Sequence, residues 1–335
     1  MSLAFFFVRL NLKLVIALVL SVCIPFSIYA QTNAKLDKVV IASWGKPISE
    51  ITNLLVEEEK GFFKAKGIEM NLIPGAGGAD AIRNLLSGQA DVAFTDPASF
   101  FIAIDKGEKL RAIYDIYPQN IFNLVSLKSK NITKPADLKG KRIGVYSLAS
   151  GTRQNLQILL HQAGLTEDDV TIVVTGLLNF LPLMQGQVDA TAATDTGLAV
   201  ARLRGLRDFH VMEVRDWLPL TSDVLVVREE TYQNQKPLLK AFVRAWRDSV
   251  QWSIAQPELA ALQAHKKAID GQNIELNKEI VRLRNLSSVS PYTQRHGLGA
   301  VDIESLQKGA QAYYSVGLIT RVPDMKAIVA SDVMP

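Results

Sequence analysis

Leu86-Ser87-Gly88-Gln89-Ala90-Asp91 and Met184-Gln185-Gly186-Gln187-Val188-Asp189 close two long passages that read alike. Each ends a helical pattern at a glycine and then runs through an aspartate into a short apolar strand. The first strand leads to Thr95-Asp96, the second to Thr194-Asp195, with one residue of slippage. A glycine stop and a leading aspartate are common singly, so the weight lies in their matching places in two matching passages.

Working outward, the first passage starts with the apolar run Val39-Val40-Ile41-Ala42-Ser43-Trp44. A polar turn, a helical pattern over residues 49–60 and a strand over 68–73 come next. The glycine-rich turn Pro74-Gly75-Ala76-Gly77-Gly78, a helix over 79–86 and a strand over 91–94 complete it. The second passage repeats that order. It has a strand at 142–146, the turn Ser147-Leu148-Ala149-Ser150-Gly151 and a helix over 152–163 stopped by Gly164. A strand at 170–174, a loop with a short helix and a last strand after Asp189 finish it. Strands alternating with helices predict parallel α/β sheets with right-handed crossovers. Two such units predict an α/β fold of two parallel-sheet lobes.

The flanking segments join the lobes. Ile121–Leu127 and Val224–Val227 are apolar, strand-like and bracket the second passage, so they are read as hinge strands. After Arg228 the spacing turns helical, with Phe242, Val243, Trp246 and Val250 on one face, a stripe that suits core rather than ligand. The predicted division is a leader over 1–30, lobe 1 over 31–121, lobe 2 over 122–227, and a helical return to lobe 1 over 228–335.

The leader reading rests on Arg9 and Lys13, then the mostly apolar Leu14–Ile28, then the small residue Ala30 before Gln31. These are the parts of a secretory signal, and the apolar run is short for a membrane span. A cut after Ala34 is the alternative. Cys23, the single cysteine, follows Val22 where a lipid-anchor signal wants a small residue, so it is read as leader core. The remaining body then has no thiol for disulfides, nucleophilic catalysis or metal ligation. Export to the periplasm is the expectation.

The chain is 48% hydrophobic over 335 residues, enough for two cored lobes, and 21% charged with mixed signs, which excludes compositional disorder. The net charge is +4; removing Arg9 and Lys13 leaves +2. With no basic stripe among aromatics, nucleic acid is not an expected partner. His161, His210, His265 and His296 are dispersed without metal spacing. There is no Gly-x-Ser-x-Gly elbow and no phosphate loop, so no catalytic residue, metal or cofactor is expected.

Glu59-Lys60-Gly61-Phe62-Phe63-Lys64-Ala65-Lys66-Gly67-Ile68-Glu69 resembles a signature of the nitrate/sulfonate/taurine-type ABC importer binding proteins, which include carriers of thiamine-pyrimidine precursors. Residues 74–82 and 86–94 are similar to that family's next stretch. Asp137-Leu138-Lys139-Gly140-Lys141-Arg142-Ile143-Gly144-Val145, with Ser150-Gly151-Thr152, resembles a later one. The likeness covers residues 37–230 clearly and the tail loosely. It implies a type II periplasmic binding fold that closes on a small solute and delivers it to a membrane permease, the binding protein itself being a monomer. A sensor or partner protein, or a pyrimidine-synthesis enzyme on the same fold, is the alternative; the resemblance gives that enzyme branch a cysteine-rich iron motif, which the body lacks.

Ligands on parallel sheets sit outside the carboxyl ends of the strands. In the first passage those ends offer Trp44, for stacking on a planar solute, and Lys46, for an anionic group. Gly75, Gly77 and Gly78 offer bare backbone N–H groups at a helix start. Thr95 and Asp96 end the third strand. The second passage offers Tyr146, Ser147, Ser150, Gly151 and Thr152, then Asn179, then Asp195. Two rim aspartates suit amine or ring N–H donors better than a purely anionic solute, which tilts the expected ligand from a sulfonate- or nitrate-type anion toward a pyrimidine-like heterocycle. For Asp195, pairing with Arg202 or Lys46 is the competing role.

Overall fold

A computed structural model describes residues 35–269 and 273–334. The leader, its cut site and Cys23 lie outside the described residues. The residues from Leu36 onward form one compact unit.

The first passage lays down β1 (Asp37–Ser43), β2 (Ile68–Ile73) and β3 (Val92–Thr95). After the helix Pro97–Asp105, the chain adds β4 (Leu110–Tyr117). It then crosses to a second sheet as β5 (Phe122–Leu127). That sheet continues with β6 (Arg142–Val145), β7 (Thr171–Val174), β8 (Ala190–Thr194) and β9 (Phe209–Glu213). β10 (Asp223–Arg228) returns to the first sheet. The sheet orders are β2-β1-β3-β10-β4 and β7-β6-β8-β5-β9, so the duplication read in the sequence is one of topology.

In each sheet four strands run one way and the crossing strand runs against them. β10 is antiparallel to β3 and β4, and β5 is antiparallel to β8 and β9. The expectation of parallel sheets is thus refined to mixed ones. The parallel strands point their carboxyl ends at the cleft. A chain arriving from the other lobe enters at that edge and runs away from it. The two crossing segments are tied together: Ser222 N donates to Tyr117 O (2.9 Å), Ile121 N to Ser222 Oγ (2.9 Å), and Asn120 Nδ2 to Leu218 O (2.9 Å).

The helical return opens with Lys236–Ala255, whose Phe242, Val243, Trp246 and Val250 are all buried, as the periodicity predicts. Trp246 meets Phe94 edge-on at 5.6 Å and Phe63 at 6.4 Å, joining this helix to the first sheet. The helix Ile274–Ser287 lies further along and carries Arg284 to the second lobe. Among the described residues no helix is long and apolar enough to cross a membrane.

Candidate functional site

The strand ends of both lobes meet around a cavity of about 560 Å³. Its lobe 1 wall includes Trp44, Gly77, Gly78, Asp96 and Asp223. Its lobe 2 wall includes Phe122, Tyr146, Ser150, Gly151, Thr152, Asn179 and Phe180. Thus Trp44, Gly77, Gly78, Asp96, Tyr146, Ser150, Gly151, Thr152 and Asn179, all singled out in the sequence, lie around one space.

Five expected residues are placed elsewhere. Lys46 is exposed and outside the lining. Gly75 serves a turn, its N–H donating to Gly45 O at 3.2 Å. Thr95 is fully buried, its hydroxyl donating to Gly78 O at 3.0 Å. Ser147 reaches across the cleft, its hydroxyl donating to Ala76 O. Asp195 pairs with neither Arg202 nor Lys46. It binds Arg284, whose side chain is 4% exposed. Arg284 also donates to Thr196 Oγ1 at 3.2 Å, lies 3.9 Å from Glu50 and stacks over the Tyr117 ring at 5.0 Å. Burial disfavours the guanidinium charge, but Asp195 and Glu50 outweigh it and raise the Arg284 pKa above its ordinary value.

The rims touch between the glycine-rich turn of lobe 1, residues 74–78, and the turn of lobe 2 over residues 147–151. Ala79 N donates to Ala149 O at 3.2 Å. Gly77 sits at φ +139°, and a Cβ there would lie 2.2 Å from Ala149 O. At Gly78 a Cβ would lie 1.9 Å from Asp96 Oδ2. Gly77 thus lets backbone approach backbone across the cleft, while Gly78 makes room for the Asp96 side chain within lobe 1.

The same approach uses up much of the expected anion cradle. Ala79 N is taken by the facing lobe. At the second helix, Gly151–Gln162, Arg153 N and Gln154 N turn back to Ser150 O. The Ser150 hydroxyl donates to Ser147 O (2.7 Å) and lies 2.7 Å from Thr152 Oγ1, which accepts from Tyr146 N at 3.0 Å.

The polar wall that remains is acidic. Asp96 caps the helix Pro97–Asp105, accepting from Ser99 N (2.8 Å) and Ser99 Oγ (2.9 Å). Burial nevertheless raises its pKa. Asp223, 5% exposed, is pushed well above the usual carboxylate range, first by burial and then by the Asp96 charge. Glu50 adds a third carboxylate to the lining, against Arg204 as its one cation among the described residues. Trp44 stands edge-on to Phe94 at 6.1 Å and to Tyr146 of the other lobe at 6.4 Å. Its Nε1–H is buried with no hydrogen-bond partner among the described residues.

Asp223, Glu50 and Arg284 escaped the sequence reading. Asp223 had a usable signal: it opens β10, just as Phe122 opens β5, and a strand entering at the cleft edge puts its first residue on the cavity. Among the described residues no group of three or more His, Cys, Asp or Glu is arranged to hold a metal ion.

The sequence profile described as NMT1/THI5 like matches residues 48–260. A protein of Haemophilus influenzae named for thiamine biosynthesis is 29% identical over 212 residues, which make up 62% of this chain and 66% of that protein, just short of two thirds. The riboflavin-binding protein RibY of Chloroflexus aurantiacus is 22% identical over 90% of this chain and 87% of its own. The alkanesulfonate-binding protein SsuA of Xanthomonas axonopodis pv. citri, solved with MOPS, superposes with a TM-score of 0.67 at 17% identity, covering 89% of this chain and all of that one. That likeness gives the fold: two α/β lobes of the type II periplasmic binding kind. Family and fold are characteristic of non-catalytic solute-binding proteins.

Proposed function

The chain belongs to the NMT1/THI5-like family of solute-binding proteins, and on that premise we propose that it captures a planar, N–H-donating heterocycle outside the cytoplasm and hands it to the permease of an ABC importer. One observation carries the choice of solute: two buried carboxyl groups, Asp96 and Asp223, face the same cavity. A sulfonate there would add an anion to an acidic wall at low dielectric. Amine or ring N–H groups instead donate to the carboxyl oxygens and favour the charged form that burial disfavours. The Trp44 ring, which also lines the cavity, suits a planar solute. A pyrimidine or flavin ring is planar and offers N–H donors, and riboflavin is the solute named for the RibY relative.

The lobes act together. Each supplies part of the wall, so solute favours the closed arrangement by its differential affinity. The test is thermal unfolding of the protein with riboflavin, 4-aminopyrimidine, taurine and an alkanesulfonate in turn. A bound solute at a hundredfold its Kd stabilises by ~2.7 kcal/mol. The expected result is a raised Tm with a heterocycle and none with the two sulfonates. A shift confined to the sulfonates overturns the proposed solute class.

A further inference from the structure

Past the acidic end, the cavity changes character. Its most water-exposed lining, here the outer wall, includes Leu177, Leu178, Leu181 and Met184 of lobe 2 and Ile269 on the lobe 1 side. Ile269 is held there by its N–H donating to Pro47 O at 2.7 Å. These side chains are open to water: Leu178 is 62% exposed, Ile269 57% and Leu177 46%.

The backbone goes out of its way to present them. Gly176 has φ +55° and Asn179 φ +45°, so two left-handed residues bracket the single turn that carries Leu177 and Leu178 outward. A left-handed conformation at Asn179 is unfavourable for a residue with a Cβ. Scattered exposed apolar side chains need no explanation, but here four lie within residues 177–184, and with Ile269 of the other lobe they line one cavity. The cavity volume also sits well inside the ~300–1,000 Å³ range of sites for drug-sized ligands, beyond what a single small ring fills.

We propose that the outer wall is a second subsite for an apolar arm of the solute, so that the natural ligand is amphipathic, with an N–H-donating ring at Asp96 and Asp223 and a hydrocarbon or aromatic extension against Leu177, Leu178, Leu181 and Ile269. This rests on the heterocycle reading above. The arm shields side chains that both lobes otherwise expose, so its burial contributes to closure and not only to affinity.

The test uses 4-aminopyrimidines carrying methyl, butyl or octyl at C5, titrated calorimetrically into the full chain and into the variant Leu178→Ser/Leu181→Ser. Both positions are exposed, so the substitutions leave the core intact. For the native chain we expect the dissociation constant to fall about three- to fourfold per methylene, the factor for burying one CH₂. In the variant that gradient flattens while the methyl compound binds as before. A methyl compound that binds, with no dependence on chain length, overturns the apolar subsite and leaves the ring reading standing. An unchanged gradient in the variant, together with lost association with permease-bearing vesicles, assigns the leucines to the membrane partner and also overturns it. If no member binds, the ring reading fails and the subsite with it.

Discussion

Replacing Asp195 by Asn isolates what holds the two lobes together away from the solute. Arg284 comes from the helical return, Asp195 from the start of the lobe 2 helix Asp195–Leu203, and their contact joins the lobes outside the cavity lining, next to Thr196 and Glu50 within it. Removing one partner of a buried pair costs ~3–5 kcal/mol, because the other charge stays buried. Two features reduce that here. Asp195 is 22% exposed, which screens the pair, and Arg284 keeps Glu50 at 3.9 Å and the Tyr117 ring face at 5.0 Å. The expected loss is therefore about 2 kcal/mol. Urea unfolding of the solute-free chain measures it as a lowered midpoint at unchanged slope. The double variant Asp195→Asn/Arg284→Met removes the stranded cation and recovers most of the loss, so the cycle is strongly non-additive. A loss below about 0.5 kcal/mol for Asp195→Asn, or additivity within that margin, refutes the latch.

Two further outcomes come from buried groups and close approaches. Burial pushes the Asp115 carboxyl up to about 8, against the opposing hydrogen bond from Thr221 at 2.5 Å. Between the ordinary carboxylate pKa and about 8 the folded chain holds a proton that the unfolded chain has lost, so this contribution is complete in acid and lost as pH rises through that window, at up to ~1.4 kcal/mol per unit. Urea midpoints at pH 5 and pH 8 therefore converge in Asp115→Asn relative to the native chain; an unchanged difference removes Asp115 as the source. Gly77→Ala forces a Cβ against Ala149 O at φ +139°. The positive φ makes the Cβ costly to stability with or without solute, and the clash with Ala149 O in addition weakens solute binding at least tenfold by opposing closure; lost stability with unchanged affinity would assign Gly77 to ordinary folding.

The doubled strand–helix order was legible because each element carries its own local signal. Gly61, Gly88, Gly164 and Gly186 all end helical segments at positive φ, and the Phe242–Val250 stripe is core. The lining residues at turns, such as Trp44, Gly77 and Ser150, were legible for the same reason: strand ends are visible in sequence, and ligands gather there. What stayed hidden depends on contacts far along the chain. Asp223 reads as the polar edge of an apolar run until β10 is seen to enter at the cleft. Arg284 reads as one cation on a charged helix until Asp195 is opposite it. Lys46 looked like an anion partner because position alone does not show that its side chain points to water.

The placing of β10 between β3 and β4 also bears on the order in which the chain acquires structure. The sheet of lobe 2 is built from one uninterrupted stretch, β5 to β9. That of lobe 1 has a gap until β10 arrives, and the register Val224 to Thr95 closes a loop that contains all of lobe 2. Such a long closure is slow, and it is paid only after the intervening sheet has shortened it. A chain lengthening from its amino end therefore presents β3 and β4 unpaired along their facing edges, while lobe 2 has everything it needs by Glu213. The strand order itself therefore leaves the first sheet, begun earlier, to close later than the second, and the helical return can pack on it only after residue 228.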